Sequence, residues 1–110
     1  MKSELKAKYE ARARGIKAMA HPTRLFIVDE LAQKGERCVC ELTEMVGVDM
    51  STISRHLSIL KNAGIVEDEK RGQQVFYRLR VQCVSNFFEC VEGVVRCDAR
   101  SRRGVSSARA

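Results

Sequence analysis

At 110 residues the chain has the length of one domain, able to bury about 60–70% of its unfolded surface in one modest core. Its 45% apolar and 31% charged residues fit a folded domain and exclude a disordered composition. The formal charge of +6 is uneven, at +5 over residues 1–24, −3 over 25–95 and +4 over 96–110, which favours a polyanionic partner without fixing a fold or a function.

The longest pure apolar stretch, Leu25-Phe26-Ile27-Val28, is far below the roughly 18 residues of a membrane span, so no membrane partner is expected. Lys2, Glu4, Lys6, Lys8 and Glu10 alternate in charge without the apolar centre of a signal peptide, and the expected location is the cytoplasm. Five cysteines, an odd number, then point to thiol chemistry rather than a disulfide framework. With six Phe and Tyr and no Trp, a stacking platform for single-stranded nucleic acid is not expected.

In chain order, residues 3–18 are strong helix formers and predict a charged first helix. Pro22 suits the first turn of a second helix running to about Gln33, with Leu25, Val28, Leu31 and Ala32 on its inner face. Lys34-Gly35 ends that helix, and residues 38–46 predict a short third one closed by Gly47. Asp49 is an N-cap for a fourth, whose inner face is Ile53, Leu57 and Leu60 and whose end is Ala63-Gly64. Two helices joined by so short a turn are the helix-turn-helix pattern. Residues 65–69 and 75–80 then alternate as strands around Lys70-Arg71-Gly72-Gln73, which predicts a β-hairpin. From Val81 helical spacing returns, with a stripe of Val84, Phe87, Phe88, Val91, Val94 and Val95 that is too apolar for a lone surface helix.

These elements predict a mostly α fold with a two-stranded β-hairpin wing: a winged helix-turn-helix, homodimeric through its terminal helices. Residues 1–97 form the DNA-binding and dimerisation domain, and 98–110 are expected as a basic, disordered tail. On the fourth helix Ser51, Thr52, Arg55 and Ser58 project away from the apolar face, suited to base edges and phosphates of double-stranded operator DNA. His56 has two readings, a phosphate contact or a histidine bonded within the protein. Lys70, Arg71 and Gln73 lie at the expected wing tip. One winged helix covers few base pairs, so a twofold dimer on a pseudo-palindrome is expected.

Cys38 and Cys40 are the sharpest chemical feature. Thiolates select soft ions, but residues i and i+2 of an ideal helix lie about 200° apart. For both sulfurs to hold one ion, the pair must sit at a helix end or the helix must unwind there. Two buried small side chains are the competing reading. Cys83, Cys90 and Cys97 are spaced by seven, about 10.5 Å along a helix, whereas sulfurs on one ion lie within about 4 Å, so one helix cannot join two of them. Two antiparallel copies would place Cys83 beside Cys97 of the partner, as a thiol site or redox pair, with packing at the edge of the stripe as the favoured use.

Ala20-His-Pro-Thr-Arg-Leu25, Cys38-Val-Cys-Glu-Leu42, the run from Ser51 to Val66 and Val75-Phe-Tyr-Arg-Leu79 together resemble the ArsR/SmtB family of winged-helix metalloregulators, most of all its arsenic-responsive repressors, over roughly residues 10–95. The resemblance implies a homodimeric repressor that leaves its operator when metal binds. It implies recognition residues Ser51, Thr52, Ser54, Arg55 and His56, with Arg71 on the wing. Arsenite or antimonite on Cys38 and Cys40 is the implied inducer, with no organic cofactor. Cadmium, lead or zinc, or cysteine oxidation, is the alternative. The arsenic branch adds a third cysteine three residues on, where this chain has Thr43, so the third ligand is open. The cadmium/lead branch adds cysteines before this pair, and none precedes Cys38. The zinc branch's intersubunit positions read Val81, Cys83, Val94 and Cys97, without its oxygen and nitrogen ligands. An enzyme is not expected: no Cys-x-x-Cys lies in a βαβ setting and no His/Asp constellation supports a nucleophile.

Overall fold

The computed structural model describes residues 2–102, in the order α1 (Ser3–Met19), α2 (Pro22–Lys34), β1 (Glu36–Cys38), α3 (Val39–Val46), α4 (Met50–Asn62), β2 (Val66–Arg71), β3 (Gln74–Leu79) and α5 (Val84–Arg102). Local chemistry sets the boundaries. His21 caps α2 by accepting the Thr23 amide on Nδ1 at 3.0 Å, and Pro22 follows in the first turn, where its missing N–H costs nothing. Gly47 closes α3 in the left-handed region, and Asp49 caps α4 by accepting the Thr52 amide at 2.7 Å.

The core is where α2, α3 and α4 meet the sheet. Ile27, Val28 and Leu31 of α2, Leu42 of α3 and Ile53, Leu57 and Leu60 of α4 are fully buried and pack with Ile65, Val66, Tyr77 and Leu79. Burying each large aliphatic side chain stabilises the fold by about 1.5–3 kcal/mol. The inner face of α4 is as its spacing predicts. That of α2 is rotated: Leu25 is exposed, and Ile27 takes the core position. Leu25 and Phe26 instead line a cleft toward α1 and α5.

The wing is a hairpin joined by a third strand. β2 pairs antiparallel with β3 from Val66↔Leu79 to Arg71↔Gln74, so the turn is Gly72-Gln73 and Lys70 and Arg71 belong to the strand. A positive φ at Gly72 alone gives the sign pattern of a type II′ turn. β1 pairs with the other edge of β3, with Glu36 opposite Arg78 and Cys38 opposite Phe76, giving the strand order β1-β3-β2. Three residues are too few for a strand to show in periodicity. α5 starts at Val84 rather than Val81 and continues to Arg102, so residues 98–102 of the expected tail are helical. The rest of that tail lies outside the described residues. Among the described residues no helix is long and apolar enough to cross a membrane.

Candidate nucleic-acid interface and thiol pair

The outer face of α4 carries Ser51, Ser54, Arg55 and Ser58, all exposed, with Thr52 and His56 half-buried at its sides. Ser51 donates its hydroxyl to Asp49 Oδ1 at 2.7 Å, which leaves its oxygen free to accept. The bonds from Ser51 and from the Thr52 amide hold the Asp49 carboxyl down to about 2, so the cap is charged at neutral pH. Arg55 has no hydrogen-bonded partner among the described residues and projects freely.

His56 is bonded within the protein. Its Nδ1 lies 3.2 Å from Arg24 Nη1, and its ring packs tilted at 44° against that of His21, 4.6 Å between centroids. The guanidinium is always a donor, so Nδ1 accepts and the proton of the neutral ring sits on Nε2. Burial, then the charges of His21, Arg24 and Arg55, holds the His56 pKa below its usual value. Sequence reasoning gave Arg24 no role, although it stands in the quoted Ala20–Leu25 run.

Arg71 is also committed. It donates to both Glu36 oxygens, at 2.6 and 3.1 Å, and to Glu69 at 3.1 Å, and lies 4.6 Å over the Phe76 ring. Those bonds, from Glu36 first, raise its pKa and tie the wing to β1. Arg78 extends the chain of ion pairs to Glu67 and Glu69. Lys70 on β2 and Gln73 in the turn are exposed.

The structure brings Cys38 and Cys40 together at the start of α3. Cys38 is the N-cap, with extended φ −83° and ψ 161°, and so stands outside the helix while Cys40 is in its first turn. The Cys38 amide donates to Glu41 Oε1 at 2.9 Å and the Glu41 amide faces the Cys38 sulfur, a capping box with a thiol in the usual hydroxyl position. Cys38 is buried and Cys40 exposed; burial first, then the bond with the Cys40 sulfur, pushes the Cys38 thiol up. The Gln74 amide reaches Cys40 Sγ at 3.9 Å. Both cysteines line a cleft of about 280 Å³ with Met50 and Ser54 of α4 and Gln73 and Gln74 of the wing. Thr43, where a third sulfur was sought, donates its hydroxyl to Val39 O at 2.8 Å. Among the described residues no group of three or more His, Cys, Asp or Glu is placed to hold a metal ion. Cys83 precedes α5, Cys90 and Cys97 lie on it, and all three are exposed in the single chain.

A helix-turn-helix with an exposed polar recognition face and a wing defines a DNA-binding regulator. Comparison with known proteins agrees. Residues 21–68 match the family described as "Bacterial regulatory protein, arsR family". The chain is 45% identical over 78 residues to the arsenical resistance operon repressor of Bacillus subtilis, covering 71% of each chain. It is 41% identical over 85 residues to an HTH-type transcriptional regulator of Methanocaldococcus jannaschii, covering 77% of this chain and 96% of that one. Among solved structures, the homodimeric winged helix-turn-helix DNA-binding domain of a Mycobacterium bovis protein superposes with a TM-score of 0.77 at 33% identity, covering 92% of this chain and 93% of the other.

The chain belongs to the arsR family of bacterial regulatory proteins and is a winged-helix transcriptional repressor.

Proposed function

We propose that this repressor binds operator DNA as a homodimer and releases it when arsenite or antimonite is bound by Cys38 and Cys40. The observation that carries the reading is the placement of the thiol pair in a cleft shared by the start of α4 and the wing turn. The relationship to an arsenical resistance repressor supports it. One sulfur at the N-cap and the other in the first turn supports a shared ion in a way that an i, i+2 pair inside a helix does not.

For DNA, Arg55 supplies a two-pronged donor to a guanine edge, while Ser51, Thr52 and Ser54 serve neighbouring bases or phosphates. His56 offers its Nε2–H from a ring fixed by Arg24. Arg71 meets phosphate only by exchanging one of its carboxylate bonds.

Release follows from what the thiols already do. The Cys38 sulfur faces the Glu41 amide as part of the cap of α3, and Cys38 is paired to Phe76 of the wing. Drawing both sulfurs onto one arsenic atom takes that sulfur from the cap and pulls on β1. Arsenous acid exchanges two hydroxides for two thiols with loss of two waters, As(OH)₃ + 2 RSH → (RS)₂AsOH + 2 H₂O, with no net proton released. A divalent cation must displace the thiol protons instead. By linkage, operator weakens inducer binding by the factor with which inducer weakens operator binding.

The test is operator release from the full chain against arsenite, cadmium, zinc and the thiol oxidant diamide, with Cys38→Ser and Cys40→Ser. Arsenite is expected to release the wild type and neither variant. Arsenite release that survives in both variants removes the assigned site, and release by diamide alone replaces the metalloid with cysteine oxidation.

A further inference from the structure

The cleft beside Cys38 and Cys40 is also lined by a sulfur-bearing residue that no spacing rule in the sequence associates with them. Met50, the first residue of α4, lines the same cleft of about 280 Å³ and is 54% exposed. Its unbranched side chain has three rotatable bonds, so the thioether is free to reorient within the cleft. The remaining polar lining is Ser54, Gln73 and Gln74, so no carboxylate or imidazole lines it. Of the carboxylates adjacent to these residues in sequence, Glu41 is engaged by the Cys38 amide and by Arg37 at 2.9 Å, and Asp49 by the Ser51 hydroxyl and the Thr52 amide at 2.7 Å.

Such a donor set discriminates by softness. Zinc and other borderline divalent ions take four donors from thiolate, imidazole and carboxylate, and here they would find two. Thiolate with thioether is the combination that selects copper(I). We propose that Cys38, Cys40 and Met50 form a three-sulfur site for a soft monovalent cation, copper(I), making it a second class of inducer. The proposal rests on the same thiol pair as the metalloid reading but adds Met50, on which arsenite held by two thiols does not depend. Binding displaces the two thiol protons to solvent and leaves copper(I) at its oxidation state. The thioether has no proton to lose and adds no charge, and the Gln74 amide offsets the anionic charge on Cys40. Because Met50 opens α4, the ion ties the start of α3 to the start of the recognition helix.

The experiment is anaerobic titration of the full chain with copper(I) against the competing chelator bicinchoninate, for wild type, Met50→Leu and the Cys38→Ser/Cys40→Ser pair. Arsenite affinity and operator binding are measured on the same samples. One copper(I) per chain is expected, with affinity lowered by about tenfold or more in Met50→Leu and lost in the double variant. An unchanged far-UV circular dichroism spectrum and thermal midpoint for Met50→Leu show that its fold is intact. Copper affinity in Met50→Leu equal to wild type, or copper retained without the two cysteines, overturns the proposal. Copper bound through Met50 by a chain that ignores arsenite supports it and removes the metalloid reading instead.

Discussion

Arg55 and Arg71 are both exposed and both assigned to DNA in the proposed function, and their partners make them different tools. Arg55 has no bond to break before it meets a base, so Arg55→Ala is expected to cost about 1–3 kcal/mol of discrimination between operator and mutated operator. Arg71 is shared between Glu36 and Glu69, so its charge is already balanced. Glu36→Gln loosens it, and operator and unrelated duplex should then bind more tightly by similar factors. The slope of log affinity against log salt should steepen by up to about 0.9, one extra phosphate contact. Fluorescence anisotropy across a salt series measures both effects, and a Glu36→Gln chain with the wild-type slope would show that Arg71 stays away from the DNA. His56 adds a pH term. Its folded pKa is depressed, so the unfolded chain binds the proton more readily. The neutral ring's contribution is complete above the unfolded value of 6.5 and is lost as pH falls through the lower folded value. The protonated ring gives up the Nδ1 acceptor for Arg24 and faces His21, Arg24 and Arg55. Denaturant midpoints at about pH 7.5 and 5.5 should differ less in His56→Gln than in wild type.

Among the elements, α4 was the most legible. Its inner stripe is apolar at helical spacing against a polar outer face, and Asp49 marks its start. α2 was less so because it is apolar on two sides: Leu25 and Phe26 face the α1/α5 cleft while Ile27, Val28 and Leu31 face the core. Periodicity finds an apolar face but does not say which face the core will take. β1 escaped because its pairing with β3 is a long-range contact made by three residues. The thiol site was legible in part. For both sulfurs to hold one ion, the pair had to sit at a helix end or the helix had to unwind, and Cys38 stands at the N-cap of α3. Met50 and Gln74 join the cleft only through the α3–α4 turn and the β1–β3 pairing. The α4 cap carries the prediction at this scale. Asp49→Ala should lower the thermal midpoint, and Asp49→Asn, which keeps an acceptor for the Thr52 amide, should keep most of it. The Asp49 carboxyl titrates near 2 when folded, against 3.8 unshifted. Its contribution is therefore present above 3.8 and lost as pH falls through about 2, a loss that Asp49→Asn should not show in an acid titration of stability.

At the scale of the molecule, the apolar surface left open is concentrated on the two terminal helices. Val84 and Phe88 of α5 pack on the core, while Phe87, Val91, Val94 and Val95 are exposed, the last two at 69% and 61%. Leu5, Tyr9 and Ile16 of α1 are exposed too. Ile16, Phe87 and Val91 share a cleft of about 540 Å³ with Leu25 and Phe26 of α2. A patch of this kind is costly in water and suits a second copy of the chain, in keeping with the homodimeric relative from Mycobacterium bovis. Val91→Glu puts a charge in that patch while leaving Ile53, Leu57 and Leu60 untouched, so the chain should keep its far-UV circular dichroism yet sediment as a monomer. The consequence for DNA is larger than one lost contact. In the proposed homodimer, two linked reading heads would bind a pseudo-palindrome with an avidity about 10²–10⁴ beyond one head, and that factor goes with the dimer. A monomer neutralises about half as many phosphates, so its salt slope should fall to about half of the wild-type value. A Val91→Glu chain that stays dimeric would move the interface elsewhere. A monomer with undiminished operator affinity would mean that each winged helix reads its site alone.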